Sequence, residues 1–384
     1  MTLSARVPLK LLLLSSGLGY TARGIETWMA ELALHLPGEM HVELWSGGPA
    51  PSAKMRLTRC LHGLNRDARW LRRLPWHRRY LLEQLSILPQ SVALLRWHQM
   101  DLVYCGDPVL SWHLKRFRPL HRAKVVFMNG MRLSANWAKD FDGVHLLAPP
   151  YLDAARRELA GKESVERFFA VPHFVDLERF APPTPQLRAA ARQRLALKED
   201  DFVVLTVGPV GQVSHKRLEW LAQEVAAVDI RAILLSAGME EDGAETVRAQ
   251  AGKALGDRFR FLGRVERAAM PELFHAADVY ALASLAEPFS IAILEALASG
   301  LPVVHHSDEV MQWQTGSGGV AVSMTEIGAA AKVLRRLKAD FIWQRELGAA
   351  ARKLAEDRYA PAHVSRQLVE ALLKICGRDL IAET

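Results

Sequence analysis

Two carboxylates stand on either side of a helix start in the stretch Glu287-Pro288-Phe289-Ser290-Ile291-Ala292-Ile293-Leu294-Glu295. The unpaired backbone N–H groups of Phe289, Ser290 and Ile291 at such a start attract an anion, for example a diphosphate. Glu287, in the loop, suits hydrogen bonds from sugar hydroxyls. Glu295, about a turn and a half into the helix, suits both hydroxyls of a ribose. Carboxylates beside a diphosphate are unfavourable unless cations and the helix dipole offset them, so a basic residue is required nearby. A second stretch supplies one: Val207-Gly208-Pro209-Val210-Gly211, followed by Ser214-His215-Lys216-Arg217. A Gly-rich turn after a strand lets backbone approach a ligand, and Lys216 is a phosphate partner. On spacing alone, an ordinary amphipathic helix with one exposed Glu describes the first stretch equally well.

The surrounding elements place both stretches at strand ends. The apolar run 279–284 reads as a buried strand, Pro288 as a turn and Ser290 as the cap of a helix reaching about Ser299. Gly300 falls just past the helix end, and 301–305 reads as the next strand. That is a βαβ unit with its loop at the carboxyl end of a strand, where open α/β sheets bind ligands. Strands are expected at 11–15, 41–45, 101–105, 124–128, 144–147 and 168–171, and again at 202–207, 232–236 and 259–262. Helical periodicity fills most gaps, as in 25–36, so parallel sheets covered on both faces are expected. Residues 50–98 read as at least one long helix with a short strand. Ala181-Pro182-Pro183-Thr184-Pro185 reads as an interdomain linker. The expected division is 1–180, 181–358 and a terminal segment 359–384 whose helix runs from about Pro361 to Cys376.

The chain has 384 residues, half of them hydrophobic and 24% charged, which suits two sizeable globular cores. Its three cysteines, Cys60, Cys105 and Cys376, form no C-x-x-C pair and read as reduced thiols of a cytoplasmic protein. Arg6 and Lys10 before Leu11–Leu14 mimic a signal peptide, but the apolar run is short and reads better as a first strand. No stretch approaches the length of a membrane span. The net charge of +7 is concentrated in segment 54–82, where nine Lys and Arg residues oppose Asp67 alone among aromatic and Leu neighbours. Lys115, Arg116, Arg118, Arg122 and Lys124 form a second set. Two readings stay open, contact with an anionic membrane surface and a solvated basic face. No motif for nucleic acid accompanies the charge.

Residue identities add a resemblance. Ala286-Glu287-Pro288-Phe289-Ser290 with Glu295-Ala296-Leu297-Ala298-Ser299-Gly300-Leu301-Pro302-Val303-Val304 resembles the E-x7-E donor motif of family 4 retaining GT-B glycosyltransferases. Segments 171–180, 259–265 and 270–278 resemble the same family, so the likeness covers most of the chain after about residue 168. It implies an α/β fold of two Rossmann-like, doubly wound domains facing a central cleft, with the terminal helix crossing back to the first. It further implies transfer of a hexosyl unit from a nucleoside-diphosphate sugar to an acceptor hydroxyl, without a metal or other cofactor. Carried over residue by residue, Glu287 orients the sugar, Glu295 binds the ribose and Lys216 the diphosphate, while the backbone of Gly263, Arg264 and Val265 contacts the base. Gly208 precedes the position where the family has an Arg; here that position is Pro209, so Arg217 or His215 must substitute or the phosphate contact is weaker. Gly17 and Gly19, with Gly24, resemble the family's Gly-rich loop facing donor and acceptor. Many relatives have a sugar-contacting His near the end of the strand at 124–128; Asn129 is taken for that role, ahead of His145.

Other patterns count for less. Gly17-x-Gly19-x-x-Ala22 matches a dinucleotide fingerprint, but Ser46-Gly47-Gly48 stands where the acid is needed. Asp140-Phe141-Asp142 is better read as a turn than as a metal site, and no histidines show ligand spacing. His305-His306 ends a strand near the donor stretch. The expected function is thus a metal-independent glycosyltransferase of surface polysaccharide or glycolipid synthesis, cytoplasmic and peripheral at the inner face of the membrane. Its expected partners are a nucleotide sugar and a lipid-linked acceptor. The alternatives are a non-catalytic sugar-nucleotide-binding partner of a polysaccharide assembly complex, and another GT-B enzyme such as a nucleotide-sugar epimerase.

Overall fold

The computed structural model describes residues 8–21, 24–37, 40–49, 58–212 and 214–378. The chain divides into two compact units, residues 1–173 with 362–384, and residues 174–361. The first division therefore falls before the Pro-rich segment. That segment is no linker: Thr184 Oγ1 accepts from the Leu187 amide at 3.2 Å and caps a helix that Pro185 opens. A proline is tolerated at the first helical position because its missing N–H has no partner there anyway.

The first unit holds β1 (Lys10–Ser15), α1 (Gly24–His35), β2 (His41–Ser46), β3 (Arg59–Cys60), α2 (Trp76–His98), β4 (Leu102–Cys105), α3 (Pro108–Arg116), α4 (Arg118–His121), β5 (Lys124–Met128), α5 (Ala135–Ala138), β6 (Gly143–Leu146), α6 (Pro149–Glu158) and β7 (Phe168–Ala170). All its strands are parallel, in the order β3-β2-β1-β4-β5-β6-β7. Leu11 to Leu14 of β1 are fully buried, the continuous apolar run that a central parallel strand requires.

The second unit holds α7 (Pro185–Arg194), β8 (Phe202–Val207), α8 (Leu218–Ala226), β9 (Ala232–Ala237), α9 (Ala244–Leu255), β10 (Phe259–Phe261), α10 (Met270–Ala276), β11 (Val279–Leu282), α11 (Ile291–Ala298), β12 (Val303–His306), α12 (Glu309–Thr315), β13 (Gly319–Val322), α13 (Ala329–Ala339) and α14 (Phe341–Arg358). Its parallel sheet has the order β10-β9-β8-β11-β12-β13. The expectation of two doubly wound α/β halves is met. The last helix, α15 (Pro361–Cys376), belongs with the first unit, where Lys124 Nζ donates to the Ile375 carbonyl at 2.5 Å. Among the described residues no helix is long and apolar enough to cross a membrane.

Both sheets reverse direction beside their first strand, between β1 and β4 and between β8 and β11. The loops leaving those strands are therefore splayed apart, which makes each switch point a natural ligand crevice. In the first unit this place is filled by charge. Arg66, only 3% exposed, sits 2.8 Å from Glu26 Oε1 and 3.3 Å from Glu83 Oε2, with its guanidinium over the Tyr80 ring. Ser16 donates from its hydroxyl to Glu83 at 3.1 Å and from its amide to Asp107 at 2.6 Å, and Tyr80 donates to Asp107 at 3.0 Å. Burial pushes the Glu83 carboxyl up to about 7, against the pull of Arg66.

A carboxyl whose folded pKa is raised stabilises the fold fully below its unfolded value near 4.3 and loses that contribution as pH climbs to about 7. The thermal midpoint of wild type should therefore fall relative to Glu83→Gln across that window. Scanning calorimetry from pH 4.5 to 8 checks it; parallel midpoints for the two proteins would exclude a raised Glu83.

Candidate functional site

The second unit's switch point brings together residues from two loops. Gly208 follows β8, and a Cβ there would come within 2.7 Å of Lys216 Cε, so the lysine stem crosses where only glycine leaves room. Lys216 Nζ then reaches Glu287 Oε2 at 2.6 Å, and His215 Nε2 lies 3.2 Å from the same oxygen. Glu287 is 5% exposed, whereas half of the His215 side chain meets solvent. Burial raises the Glu287 carboxyl, but the charge of Lys216 and the hydrogen bonds from both neighbours outweigh it and hold the group at about 2. Glu287 is thus a permanent anion carrying two nitrogen donors.

Seven residues further on, Glu295 lies buried on α11 and its Oε1 is ion-paired to the Arg267 guanidinium, which also stacks over Phe180 at 5.1 Å. Arg267 comes from the loop after β10 and escaped the sequence reading. Ser290 caps α11 as expected, its Oγ accepting from the Ile293 amide at 3.4 Å. The Ser290 amide, however, donates to Gln314 Oε1 at 3.3 Å while Gln314 Nε2 donates back to the Ser290 carbonyl at 2.7 Å. Of the three amides expected to greet an anion, that of Ser290 is therefore engaged by α12; Phe289 is buried and Ile291 opens the helix.

Three more strand ends close in beneath. The Gly238 amide donates to the Gly263 carbonyl at 2.9 Å, and a Cβ on Gly238 would fall 1.8 Å from the Gly208 carbonyl oxygen. Gly263 has φ +65°, a left-handed turn that suits glycine; Arg264 beyond it is exposed and Val265 half-buried.

Arg217 does not take the place of the arginine that Pro209 lacks. Its Nη1 donates to the Met324 carbonyl at 2.7 Å and the Ala283 carbonyl at 3.4 Å, with the guanidinium over Trp220. It ties α8 to the ends of β11 and β13, and His215 is the group that stands with Lys216. His305 is buried, bonded to Thr315 Oγ1 and the His306 carbonyl, and burial lowers it to about 4, so it is a neutral strand residue.

The first unit gives its expected residues local duties. Asn129 Nδ2 donates to the Leu133 carbonyl at 2.7 Å and its Oδ1 accepts from the Leu133 amide at 2.9 Å, so the side chain closes its own turn. That corrects the expectation of a sugar contact from Asn129. His145 lies within β6 between Tyr104 Oη and the Val171 carbonyl, both at 2.6 Å. A Cβ on Gly17 would meet Glu26 Oε1 at 2.3 Å, and one on Gly19, at φ +92°, would meet the Pro49 carbonyl at 2.4 Å. Packing within this unit alone explains both glycines. Ala22, Arg23, Lys54 and Arg56 lie outside the described residues. Asp142 anchors Lys115 and Arg118 and accepts from the Val125 amide, a turn as expected. Among the described residues no three His, Cys, Asp or Glu side chains are grouped to hold a metal ion.

Removing Lys216 would leave the Glu287 charge buried beside a single partner. Lys216→Met should cost about 3 kcal/mol, the range for breaking a buried pair, and adding Glu287→Gln should recover most of it. Urea titrations of the two single variants and the double variant check this coupling; additive losses would deny it.

Comparison with known proteins agrees with this arrangement. Residues 201–340 match the family described as Glycosyl transferases group 1. The chain is 34% identical over 202 residues to a D-inositol 3-phosphate glycosyltransferase of Geodermatophilus obscurus, which covers 49% of this chain and 41% of that protein. The chain thus spans less than half the length of that relative. Among solved structures, a sucrose-phosphate synthase of Thermosynechococcus elongatus superposes with TM-score 0.77 at 21% identity, covering 96% of this chain and 99% of that one. Anabaena HepE in complex with UDP and glucose superposes with TM-score 0.75 at 18% identity, covering 95% and 100%. The chain has the GT-B fold, and its residues 201–340 form a domain of the glycosyl transferases group 1 type.

Proposed function

We propose that this protein is a retaining glycosyltransferase that moves a hexosyl unit from a nucleoside-diphosphate sugar to an acceptor hydroxyl. The observation that carries this reading is the Lys216–Glu287–His215 cluster at the switch point of the second sheet. A permanent carboxylate there offers hydrogen-bond acceptors to sugar hydroxyls, and its two nitrogen neighbours offer donors to a diphosphate. The fold shared with a structure solved in complex with UDP and glucose supports it.

In the transfer, the bond between C1 and the diphosphate oxygen breaks and the nucleoside diphosphate leaves with the electron pair. The acceptor oxygen bonds C1 on the same face, and its proton passes to the departing phosphate. Lys216 and His215 stabilise the charge that grows on the leaving oxygen, so the reaction as proposed runs without a metal. Glu287 holds the sugar. Glu295 receives the ribose, which requires Arg267 to share or release its carboxylate. Gly263, Arg264 and Val265 line the base. The expected role of Arg217 as a phosphate contact passes to His215.

The acceptor we propose is lipid-linked, in surface polysaccharide or glycolipid synthesis, met from the cytoplasmic side of a membrane. The basic character of segment 54–82 supports it.

Titration calorimetry with UDP-, GDP-, ADP- and dTDP-sugars, with and without chelator, tests the donor. One nucleotide sugar should bind wild type regardless of chelator. Glu295→Ala should bind it about 10- to 100-fold more weakly, as expected for hydrogen bonds to a charged group. His215→Gln should weaken nucleoside diphosphate but leave the monophosphate unchanged. A folded protein that binds none of the four would instead be a non-catalytic partner.

A further inference from the structure

The first unit has a face whose chemistry the donor site does not use. Large apolar side chains are exposed along it: Trp76 at 43%, Leu81 at 39%, Trp97 at 79%, Trp112 at 50%, Phe117 at 40% and Leu120 at 54%. They lie on α2, α3 and α4 and the residue joining the last two. These helices form one surface, since α2 packs against both α3 and α4. The Val109 and Leu110 amides at the start of α3 both donate to Gln84 Oε1 on α2, which fixes the two helices side by side.

The charge on the same elements is one-sided. Arg72, Arg73, Arg78, Arg96, Arg116 and Arg122 are exposed. The four acidic residues between positions 58 and 124 are Asp67, Glu83, Asp101 and Asp107, and none is exposed. Glu83 and Asp107 are buried in the Arg66 network, so their charge is spent inside. The expectation placed the basic surface in segment 54–82, but Arg66, Leu71 and Tyr80 of that segment are buried. The exposed face instead joins the start of α2 to the second basic set.

We propose that this face of α2, α3 and α4 binds an anionic lipid surface. Indole, phenyl and leucyl groups insert at headgroup depth, while flexible arginines reach lipid phosphates. A soluble protein partner would equally cover the apolar groups, but exposed arginines unopposed by exposed acids complement a dense negative surface. An apolar patch of this extent is also uncommon on a surface that meets only water.

Vesicle co-sedimentation of the full chain tests this without any sugar nucleotide, so it stands or falls apart from the donor reading. Two vesicle types serve as probes, phosphatidylcholine alone and phosphatidylcholine with a third phosphatidylglycerol. Wild type should pellet with the anionic vesicles at low salt and not with the neutral ones. Its tryptophan emission should shift to the blue on binding. Each of Arg72→Glu, Arg78→Glu and Arg116→Glu should weaken binding about fivefold or more, from about 1 kcal/mol per basic residue near the surface. Trp112→Ser with Leu120→Ser should weaken it and reduce the blue shift, while Ile342→Ser in the second unit should change nothing. Wild type that stays in the supernatant overturns the proposal. So does binding unchanged in every variant, or equal binding to heparin-coated beads with no lipid-dependent emission shift.

Discussion

The ion pair between Lys216 and Glu287 is the constraint around which the second unit's site is built. A carboxylate that is almost wholly buried must be compensated, and its two nitrogen neighbours come from a loop 71 and 72 residues away. That requirement fixes the loop after β8 against the loop after β11. It also explains Gly208, because any side chain there would block the lysine stem. The same pairing that stabilises the empty site leaves a compact set of donors and acceptors at a strand end.

The sheet order decides why the site lies there. Chain reversal beside β8 sends α8 and α11 to opposite sides, and the loops leading into them diverge. The first unit has the same order of events but closes its switch point with Arg66, Glu26, Glu83 and Asp107. Two similar scaffolds thus differ in what fills the crevice. One is held by a buried charge network, and the other presents a half-exposed histidine beside a lysine.

Much of the fold was legible because local signals agreed. Leucines in β1, the Ser290 cap, Gly300 at φ +71° and the terminal helix at Pro361–Cys376 all follow from short-range chemistry. The cluster of Lys216 with Glu287 was legible from its residue types, since a buried acid near a phosphate needs a cation. What escaped depends on partners distant in sequence. Nothing in the spacing says that Arg267 seats itself on Glu295, that Gln314 grips both backbone groups of Ser290, or that Arg66 is buried while Arg72 is not. Asn129 and Arg217 were misjudged for a related reason. Each has a long polar side chain at a strand end, and each spends it on nearby carbonyls or amides. Ala181–Pro185 misled because prolines mark helix starts as well as linkers.

The most direct test of the central claim is a crystal structure of the protein with a nucleoside diphosphate. The account predicts diphosphate oxygens within hydrogen-bond distance of Lys216 Nζ and His215, with the ribose on Glu295. A nucleotide bound to the folded protein without touching Lys216 would contradict it.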